Sequence, residues 1–234
     1  VQKTGGGVWH DFKGLSFVDV GARPFWDYII EIAKESYALG FDELNFDYIR
    51  FPSDGPMLEA EYTHSIGKSK QLALEEFFKY LSEALEETGA VMSADLFGMT
   101  SSNTDDLGIG QVLERALPYF DYVSPMIYPS HYPSGFRDIQ NVNQHAYDII
   151  KYEMDTAVRR TIATTTKIAS LAYTPIASTS PQLYEKPSYD RYKIRPWLQS
   201  FDYPVIYTPQ MVADQIRANT EAGLDSWMFW DAAN

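Results

Sequence analysis

The length, composition and charge of this chain exclude several classes of protein. Its 234 residues are 45% hydrophobic and 15% aromatic, which is enough to bury the core of one α/β barrel domain. The 32 acidic and 19 basic residues give a net charge of -13, which disfavours nucleic acid and anionic membranes and favours a neutral partner. Cysteine is absent, and no apolar run approaches the roughly 18 residues of a membrane span.

The predicted elements alternate between strands and helices along the chain. In order they are a strand over 17–20, a helix ending at Gly40, a strand leading into Asp47, a helix over 68–88, a strand over 91–97, a helix within 105–118, a strand over 122–128, a helix from 141 to about 160, a strand over 194–201, a helix from Thr208-Pro209 to Gly223, and a strand over 226–230. Proline in a first turn, an N-cap threonine and closing glycines mark the helix ends. This alternation predicts parallel βαβ units.

The number of strand-helix units predicts a (β/α)8 TIM-type barrel that is incomplete in this chain. Such a barrel has eight strands, whereas the sequence predicts six, so the first two are expected to lie outside residues 1–234. An open seam is then expected beside the strands at 17–20 and 226–230, unless another segment or a second chain fills it. Residues 1–234 are expected to be a single domain, with a long excursion over one barrel mouth at about 161–192.

The strand that leads into Asp47 carries the first catalytic candidate. It places Asn45 and Asp47 on one face and apolar residues on the other, and we expect both faces to be buried. A buried carboxylate costs several kcal/mol unless it is paired or hydrogen-bonded, so a fold that keeps one there usually uses it. A structural ion pair with Arg50 is the weaker interpretation of Asp47.

Polar residues recur at the carboxyl ends of the predicted strands, which is the face where barrel active sites form. These residues are Asp19, Asp47, Asp95, Tyr128, Gln199 and Asp231. Glycoside hydrolysis needs one carboxyl group to protonate the leaving oxygen and a second to act as nucleophile or to activate water. Asp47 and Asp95, on consecutive strands, are the natural catalytic pair. Asp19 is interpreted instead as a turn residue before Gly21.

Further side chains near these strand ends are candidates for binding a substrate. They are Arg50, Tyr128, His131, Tyr132, Trp197, Gln199, Trp230 and Asp231. Arg50 is expected to hold Asp47 ionised through a charge-assisted bond, and Tyr128 to hydrogen-bond a carboxylate or a sugar hydroxyl. The aromatic rings offer flat faces to pyranose rings, although each tryptophan taken alone is more often a core residue. The histidines lack metal-ligand spacing and no nucleotide motif is present, so neither metal nor cofactor is expected.

Four blocks of sequence together resemble a known family. They are residues 41–52 (FDELNFDYIRFP), 95–98 (DLFG), 124–132 (SPMIYPSHY) and 195–201 (RPWLQSF), with flanking motifs at 8–11 (VWHD) and 227–231 (WMFWD). The blocks resemble the bacterial family of glycosyl hydrolase domains with TIM-barrel folds. The resemblance implies a glycoside hydrolase and two further barrel strands before the Trp9 region. A location outside the cell or at its surface is also expected. The segment 161–192 departs from the pattern of that family.

The sequence therefore predicts a carbohydrate-active hydrolase that cleaves a glycosidic bond in a polysaccharide or cell-wall glycan with Asp47 and Asp95. A non-catalytic glycan-binding barrel, which would keep the aromatic residues without a working acid pair, stays open. So does an enzyme of different chemistry, such as a polysaccharide deacetylase or lyase, although the metal site or basic catalyst that it needs is not visible in the sequence. The sugar, its linkage and the stereochemical outcome stay undetermined.

Overall fold

The computed structural model describes residues 1–231. Within them the helices are α1 (Arg23–Ala38), α2 (Lys70–Leu85), α3 (Leu113–Ala116), α4 (Ala146–Ile162) and α5 (Pro209–Glu221). The strands are β1 (Gln2–Lys3), β2 (Glu43–Phe46), β3 (Ala60–Glu61), β4 (Val91–Phe97), β5 (Tyr122–Ile127), β6 (Thr165–Thr166), β7 (Thr174–Pro175), β8 (Tyr184–Glu185), β9 (Trp197–Gln199) and β10 (Met228–Trp230). No helix among these is both long and apolar enough to cross a membrane.

The principal sheet is parallel and is built in chain order. Among residues 1–231 its five strands lie in the order β2-β4-β5-β9-β10, so each new strand is added beside the preceding one. A helix lies in each connection, with α2 between β2 and β4, α3 between β4 and β5, α4 between β5 and β9, and α5 between β9 and β10. This is the repeated βαβ plan that the sequence predicted.

Helices α1, α2 and α4 pack on one face of the sheet, and each buries a largely apolar stripe there. In α1 the buried residues Trp26, Ile30 and Ala33 recur at helical spacing. The helix ends are set locally, since Ser69 caps α2 by accepting the N–H of Leu72 at 3.2 Å. The outward side chains of the strands complete the core, for example Leu44, Phe46, Ala94, Leu96, Val123, Ile127 and Leu198. Polar side chains are thereby left to the opposite face.

The sheet is curled into a half-barrel. Arg195, just before β9, forms an ion pair with Glu43 at the start of β2, with its Nη1 3.0 Å from Oε2, although β4 and β5 lie between the two strands. Neighbouring strands are about 4.8 Å apart, so three steps along a flat sheet would span about 14 Å. The contact is made because side chains on the concave face converge. The sheet ends at edge strands β2 and β10, and the described residues do not close it into an eight-stranded barrel.

The predicted strand at 17–20 is wrong. Residues 17–19 have no regular secondary structure. The carboxylate of Asp19 accepts the backbone N–H groups of Gly21 at 3.0 Å and of His64 at 2.7 Å, which ties this segment down as a turn before α1. The interpretation of Asp19 as a turn residue is confirmed.

The predicted helix within 105–118 is reduced to the single turn of α3. Asp105 accepts the N–H of Leu107 and Asp106 accepts the N–H of Gly108, both at 3.0 Å. Such local side-chain bonds offer the backbone an alternative to helical hydrogen bonds, and they turn the chain before a helix can form. The connection between β4 and β5 is therefore mostly a loop.

The segment 161–192 packs on the helices instead of crossing a barrel mouth as expected. It contains the small antiparallel sheet β6-β8-β7. Ser170 Oγ and the Leu171 N–H donate to the buried carboxylate of Glu75 in α2 at 2.5 and 2.7 Å. Tyr173 donates its hydroxyl to the backbone carbonyl of Glu114 in α3 at 2.6 Å. The excursion is anchored there because these buried acceptors require partners.

Candidate active site

The concave face of the sheet carries the two aspartates. By register Asn45 pairs with Ser93 and Asp95 pairs with Ser124, so these side chains point to the same side. The last pair between β2 and β4 joins Phe46 to Ala94, which sets the next residue, Asp47, beside Asp95. The two carboxyl groups are therefore neighbours near the carboxyl ends of consecutive strands, as the sequence predicted.

A cavity of about 380 Å³ opens at this end of the sheet. Its lining includes Asp47 and Asp95. The remaining lining residues are Tyr48, Arg50, Phe97, Gly98, Met99, Met126, Tyr128, His131, Tyr132, Trp197 and Trp230. All of the predicted site residues except Gln199 and Asp231 are among them. The structure thus brings together residues that lie on or directly after all five strands of the parallel sheet and are far apart in the sequence.

A larger cavity of about 700 Å³ runs along the edge strand β2 and α1. Its walls are mainly apolar and include Phe25 and Ile29 of α1. It shares Asp47, Tyr48 and Arg50 with the smaller cavity, so the two adjoin. The smaller cavity is the candidate active site because it combines both aspartates with convergent aromatic and polar groups.

Asp95 is the buried carboxyl group of the site. Its Oδ1 accepts hydrogen bonds from Asn45 Nδ2 at 3.1 Å and from Trp197 Nε1 at 2.8 Å. Burial raises the pKa of Asp95 to about 6, although the two hydrogen bonds act in the opposite direction. The nearby charge of Asp47 raises this pKa further, and that of Arg195 lowers it. A carboxyl group with this pKa can serve as a general acid.

Asp47 is exposed, and the prediction that it is buried is wrong. It follows β2, which is an edge strand of the sheet in the described residues, so the concave face is open to solvent there. Asp47 Oδ1 accepts the N–H of Tyr48 at 2.6 Å, and Tyr48 has a left-handed backbone φ of 55°. This sharp turn holds the carboxylate at the cavity wall. Glycoside hydrolysis needs a second carboxyl group of this kind beside the acid.

Within the described residues, Arg50 does not form the expected charge-assisted bond with Asp47. Its Nη1 donates to the backbone carbonyl of Phe51 at 3.1 Å. The guanidinium lies 4.8 Å from the centre of the Phe97 ring and 4.9 Å from that of Tyr48. Arg50 is directed to the aromatic wall by these contacts, and the charge of Asp47 acts on the guanidinium through space.

Aromatic rings form the rest of the cavity wall. Trp197 and Trp230 meet edge to face, with 6.1 Å between ring centres, and Trp230 is 47% exposed, which leaves ring surface free for a ligand. The Tyr128 ring meets that of His131 at 5.4 Å. Burial, with the nearby charges of the two aspartates, raises the pKa of Tyr128, so its hydroxyl remains a hydrogen-bond donor. Burial lowers the pKa of His131, which favours the neutral ring.

Behind this wall lies a buried carboxyl group that the sequence analysis missed. Tyr132 faces Glu153 of α4, whose Oε1 accepts the hydroxyl of Ser102 at 2.9 Å. Burial raises the pKa of Glu153 to about 7. The signal for it was present, because Glu153 follows the buried Ile149 by four residues and so falls on the apolar face of the helix. A similar signal was present for Asn45, which donates a hydrogen bond to Asp95. Asn45 lies two residues before Asp47 and so falls on the same face of the strand.

Two predicted binding residues lie outside the cavity lining. Gln199 is buried, and its side-chain oxygen accepts the N–H and hydroxyl of Ser130 at 3.2 and 2.9 Å. Its Nε2 donates to the carbonyls of Phe201 and Tyr203 at 3.1 and 3.2 Å. These bonds use the whole capacity of the amide, so Gln199 joins two loops and is not available to a substrate. Asp231 directly follows β10 and is half-buried, and its role stays a prediction.

In the part of the chain described here, no group of three or more histidine, aspartate or glutamate side chains is placed to hold a metal ion.

The fold and the cavity define a class: a curled parallel sheet with carboxyl groups and aromatic rings at the strand ends is typical of glycoside hydrolase barrels. A family model described as "Putative glycosyl hydrolase domain" matches residues 1–234, so the chain belongs to this family. A comparison with curated proteins found no significant match.

Comparison with solved structures found further matches to this chain. The glycoside hydrolase domain of PgaB (BpsB) from Bordetella bronchiseptica matches with a TM-score of 0.55 at 13% identity, over 93% of this chain and 59% of that one. The spore cortex-lytic enzyme SleL from Bacillus megaterium QM B1551 matches with a TM-score of 0.49 at 13% identity, over 91% and 51%. A hypothetical protein from Ruminiclostridium thermocellum ATCC 27405 is 38% identical over 47% of this chain and 48% of its own, with a TM-score of 0.36. The chain thus spans less than two thirds of each of these structures, and the likeness to the PgaB domain concerns the fold alone.

Proposed function

We propose that this protein cleaves a glycosidic bond in a polysaccharide or cell-wall glycan, with Asp47 and Asp95 as the catalytic pair. The observation that carries the proposal is the contrast between two carboxyl groups in one cavity. Asp95 is buried with a pKa raised to about 6, whereas Asp47 on the neighbouring strand end is exposed. Environments that differ in this way divide the acid and carboxylate roles between two chemically identical side chains.

In the proposed reaction Asp95 is the general acid. It transfers its proton to the glycosidic oxygen, the bond between that oxygen and the anomeric carbon breaks, and the leaving sugar departs as an alcohol. Asp47 either attacks the anomeric carbon or removes a proton from the attacking water. In the first case water then displaces Asp47 from the anomeric carbon and gives one proton back to Asp95. In the second case the proton taken by Asp47 returns to Asp95 through solvent. In both cases the rest of the water molecule becomes the new hydroxyl group.

The cavity wall supports a carbohydrate as the ligand. The exposed ring of Trp230 offers an apolar face to a pyranose ring, and the Tyr128 hydroxyl and Arg50 guanidinium offer hydrogen-bond donors to its hydroxyl groups. Membership of the family supports the same substrate class. The chain order of the parallel strands supports the plan of a (β/α)8 barrel, whose active sites lie at the carboxyl ends. A location outside the cell or at its surface is part of this proposal.

The proposal is tested by a hydrolysis screen on cell-wall glycans and exopolysaccharides. Release of new reducing ends by the wild type and its loss in Asp47→Asn is the expected result. Asp155→Asn is the matched control, because Asp155 lies on α4 in a partly exposed pair with Lys151 and should leave activity unchanged. Glycan binding without new reducing ends would favour a glycan-binding barrel, and release of acetate alone would favour a deacetylase. Absence of both binding and turnover on all of these substrates contradicts the proposal.

A further inference from the structure

The two hydrogen bonds to Asp95 reach the same oxygen atom. Asn45 Nδ2 and Trp197 Nε1 both donate to Oδ1, at 3.1 and 2.8 Å. Asn45 comes from β2, the direct neighbour of β4, whereas Trp197 comes from β9, which lies beyond β5. The curvature of the sheet brings the indole across to the carboxyl group. Neither of these bonds is made to Oδ2, so the two oxygens of Asp95 are not equivalent.

A carboxylic acid carries its proton on one oxygen, and the other acts as a carbonyl acceptor. An oxygen that already accepts two N–H donors is the poorer place for the proton, because an O–H group there would compete with both. We propose that Asn45 and Trp197 are positioning residues that reserve Oδ1 of Asp95 as the acceptor, so that Oδ2 carries the acidic proton. The catalytic meaning of this assignment rests on the proposed function: the O–H bond of Oδ2 breaks, and the proton goes to the glycosidic oxygen.

The same two bonds stabilise Asp95 after the proton has left. Hydrogen bonds to an ionised acceptor are stronger than those to a neutral one, so both donors favour the carboxylate. Other groups also face Asp95: Asp47 after β2 opposes its ionisation, Arg195 before β9 favours it, and the protonated Tyr128 follows β5. Loss of one donor leaves these groups in place and removes a single stabilising bond from the anion. The pKa of Asp95 should therefore rise.

The experiment is a carbon-13 NMR titration of the aspartate carboxyl groups, with the Asp95 signal assigned by its loss in Asp95→Asn. Asn45→Ala and Trp197→Phe should each raise the pKa of Asp95, from about 6 in the wild type, by about one pH unit. The alkaline limb of the kcat/KM profile should move upward by the same amount. Trp9→Phe is the matched control, because it also removes a bonded indole N–H, here one that donates to the carbonyl of Pro56 at 3.1 Å, and it should leave this pKa unchanged.

A constant or lowered pKa of Asp95 in folded Asn45→Ala overturns the inference. Asn45 is exposed on the edge strand, so this variant provides the test even where Trp197→Phe fails to fold. The result also separates the two proposals. Turnover with an unshifted pKa contradicts the assignment of the oxygen, whereas the expected shifts in a protein without any turnover contradict only the proposed function.

Discussion

Asp47 and Asp95 lie at the ends of neighbouring strands, and the surroundings of the two side chains differ. Asp95 is on β4, which has a strand on each side, and it is only 4% exposed and accepts two N–H donors. Asp47 follows the edge strand β2 and is exposed. The residue type is the same in both places, so the position in the sheet gives each carboxyl group its own surroundings, and burial raises the pKa of Asp95 to about 6.

The largest effect is expected for the exposed member of the pair. Asp47→Asn should lower kcat/KM by at least about 1,000-fold on natural glycans and on substrates with activated leaving groups alike, because the carboxylate acts on the anomeric carbon or its water in both cases. Steady-state assays on both substrate types measure this. Since Asp47 is exposed, the thermal midpoint should stay near that of the wild type. Full activity of this variant on either substrate type would remove Asp47 from the mechanism.

The buried member should show a loss that depends on the leaving group. Asp95→Asn should lower kcat/KM on natural glycans by about 100- to 10,000-fold, because the leaving oxygen then departs without a proton. On an aryl glycoside with an acidic phenol the loss should be less than about tenfold, since that phenol needs no protonation. Equal losses on the two substrates would show that Asp95 is not the acid, and Asp231 would be the next candidate.

Glu153 can be compared with the two aspartates, because it is a buried carboxyl group with a raised pKa that lies outside the cavity. Its pKa of about 7 in the folded protein lies above the ordinary 4.5, so its contribution to stability is fully present below about pH 4.5 and is lost as the pH rises through about 7. The loss is of the order of 3 kcal/mol in the free energy of unfolding. Urea unfolding at pH 5 and pH 8 should show this loss in the wild type and a smaller one in Glu153→Gln. An identical pH dependence in the variant would show that Glu153 titrates normally.

The smallest effect concerns the exposed aromatic wall beside the two aspartates. Trp230→Ala should raise KM for glycan oligomers about tenfold with a smaller change in kcat, because a ring face that binds the sugar contributes equally to the ground state and the transition state. Trp227→Ala is a poor control, since Trp227 packs against the core. Tyr192→Ala is the better one, because Tyr192 is 47% exposed and lies outside the cavity lining. A fall in kcat alone for Trp230→Ala would argue for a role in chemistry instead of binding.

The helices and the parallel strands were largely predictable, because their signals are local. These signals are the helical spacing of apolar residues, the N-caps Ser69 and Thr208, and the glycines that follow helices. Each of them acts within one or two turns of its helix. The predicted strand at 17–20 and the full-length helix within 105–118 were wrong for local reasons of a different kind. Asp19 at one site, and Asp105 and Asp106 at the other, bond to nearby backbone N–H groups and turn the chain where periodicity suggested a strand or a helix.

The sequence predicted which residues form the candidate site better than it predicted their burial and hydrogen bonds. The position of Asp47 and Asp95 at consecutive strand ends placed them together, because parallel strands share one carboxyl edge. The expected burial of Asp47 and its bond to Arg50 were wrong, because both depend on which strands flank β2 and on where the guanidinium finds acceptors. The full hydrogen-bonding of Gln199 also involves partners from distant loops.

The sequence by itself determined the βαβ order, the polar concave face and the pairing of two aspartates at one edge of the sheet, because these follow from spacing along the chain. Only the tertiary structure decided that Asp95 is the buried carboxyl group with the raised pKa and that Asp47 is exposed. Asn45 and Trp197 lie 50 and 102 residues from Asp95 and reach it through strand pairing and the curvature of the sheet. Burial and hydrogen bonding are set by neighbours in space, and they set the pKa on which the proposed chemistry depends.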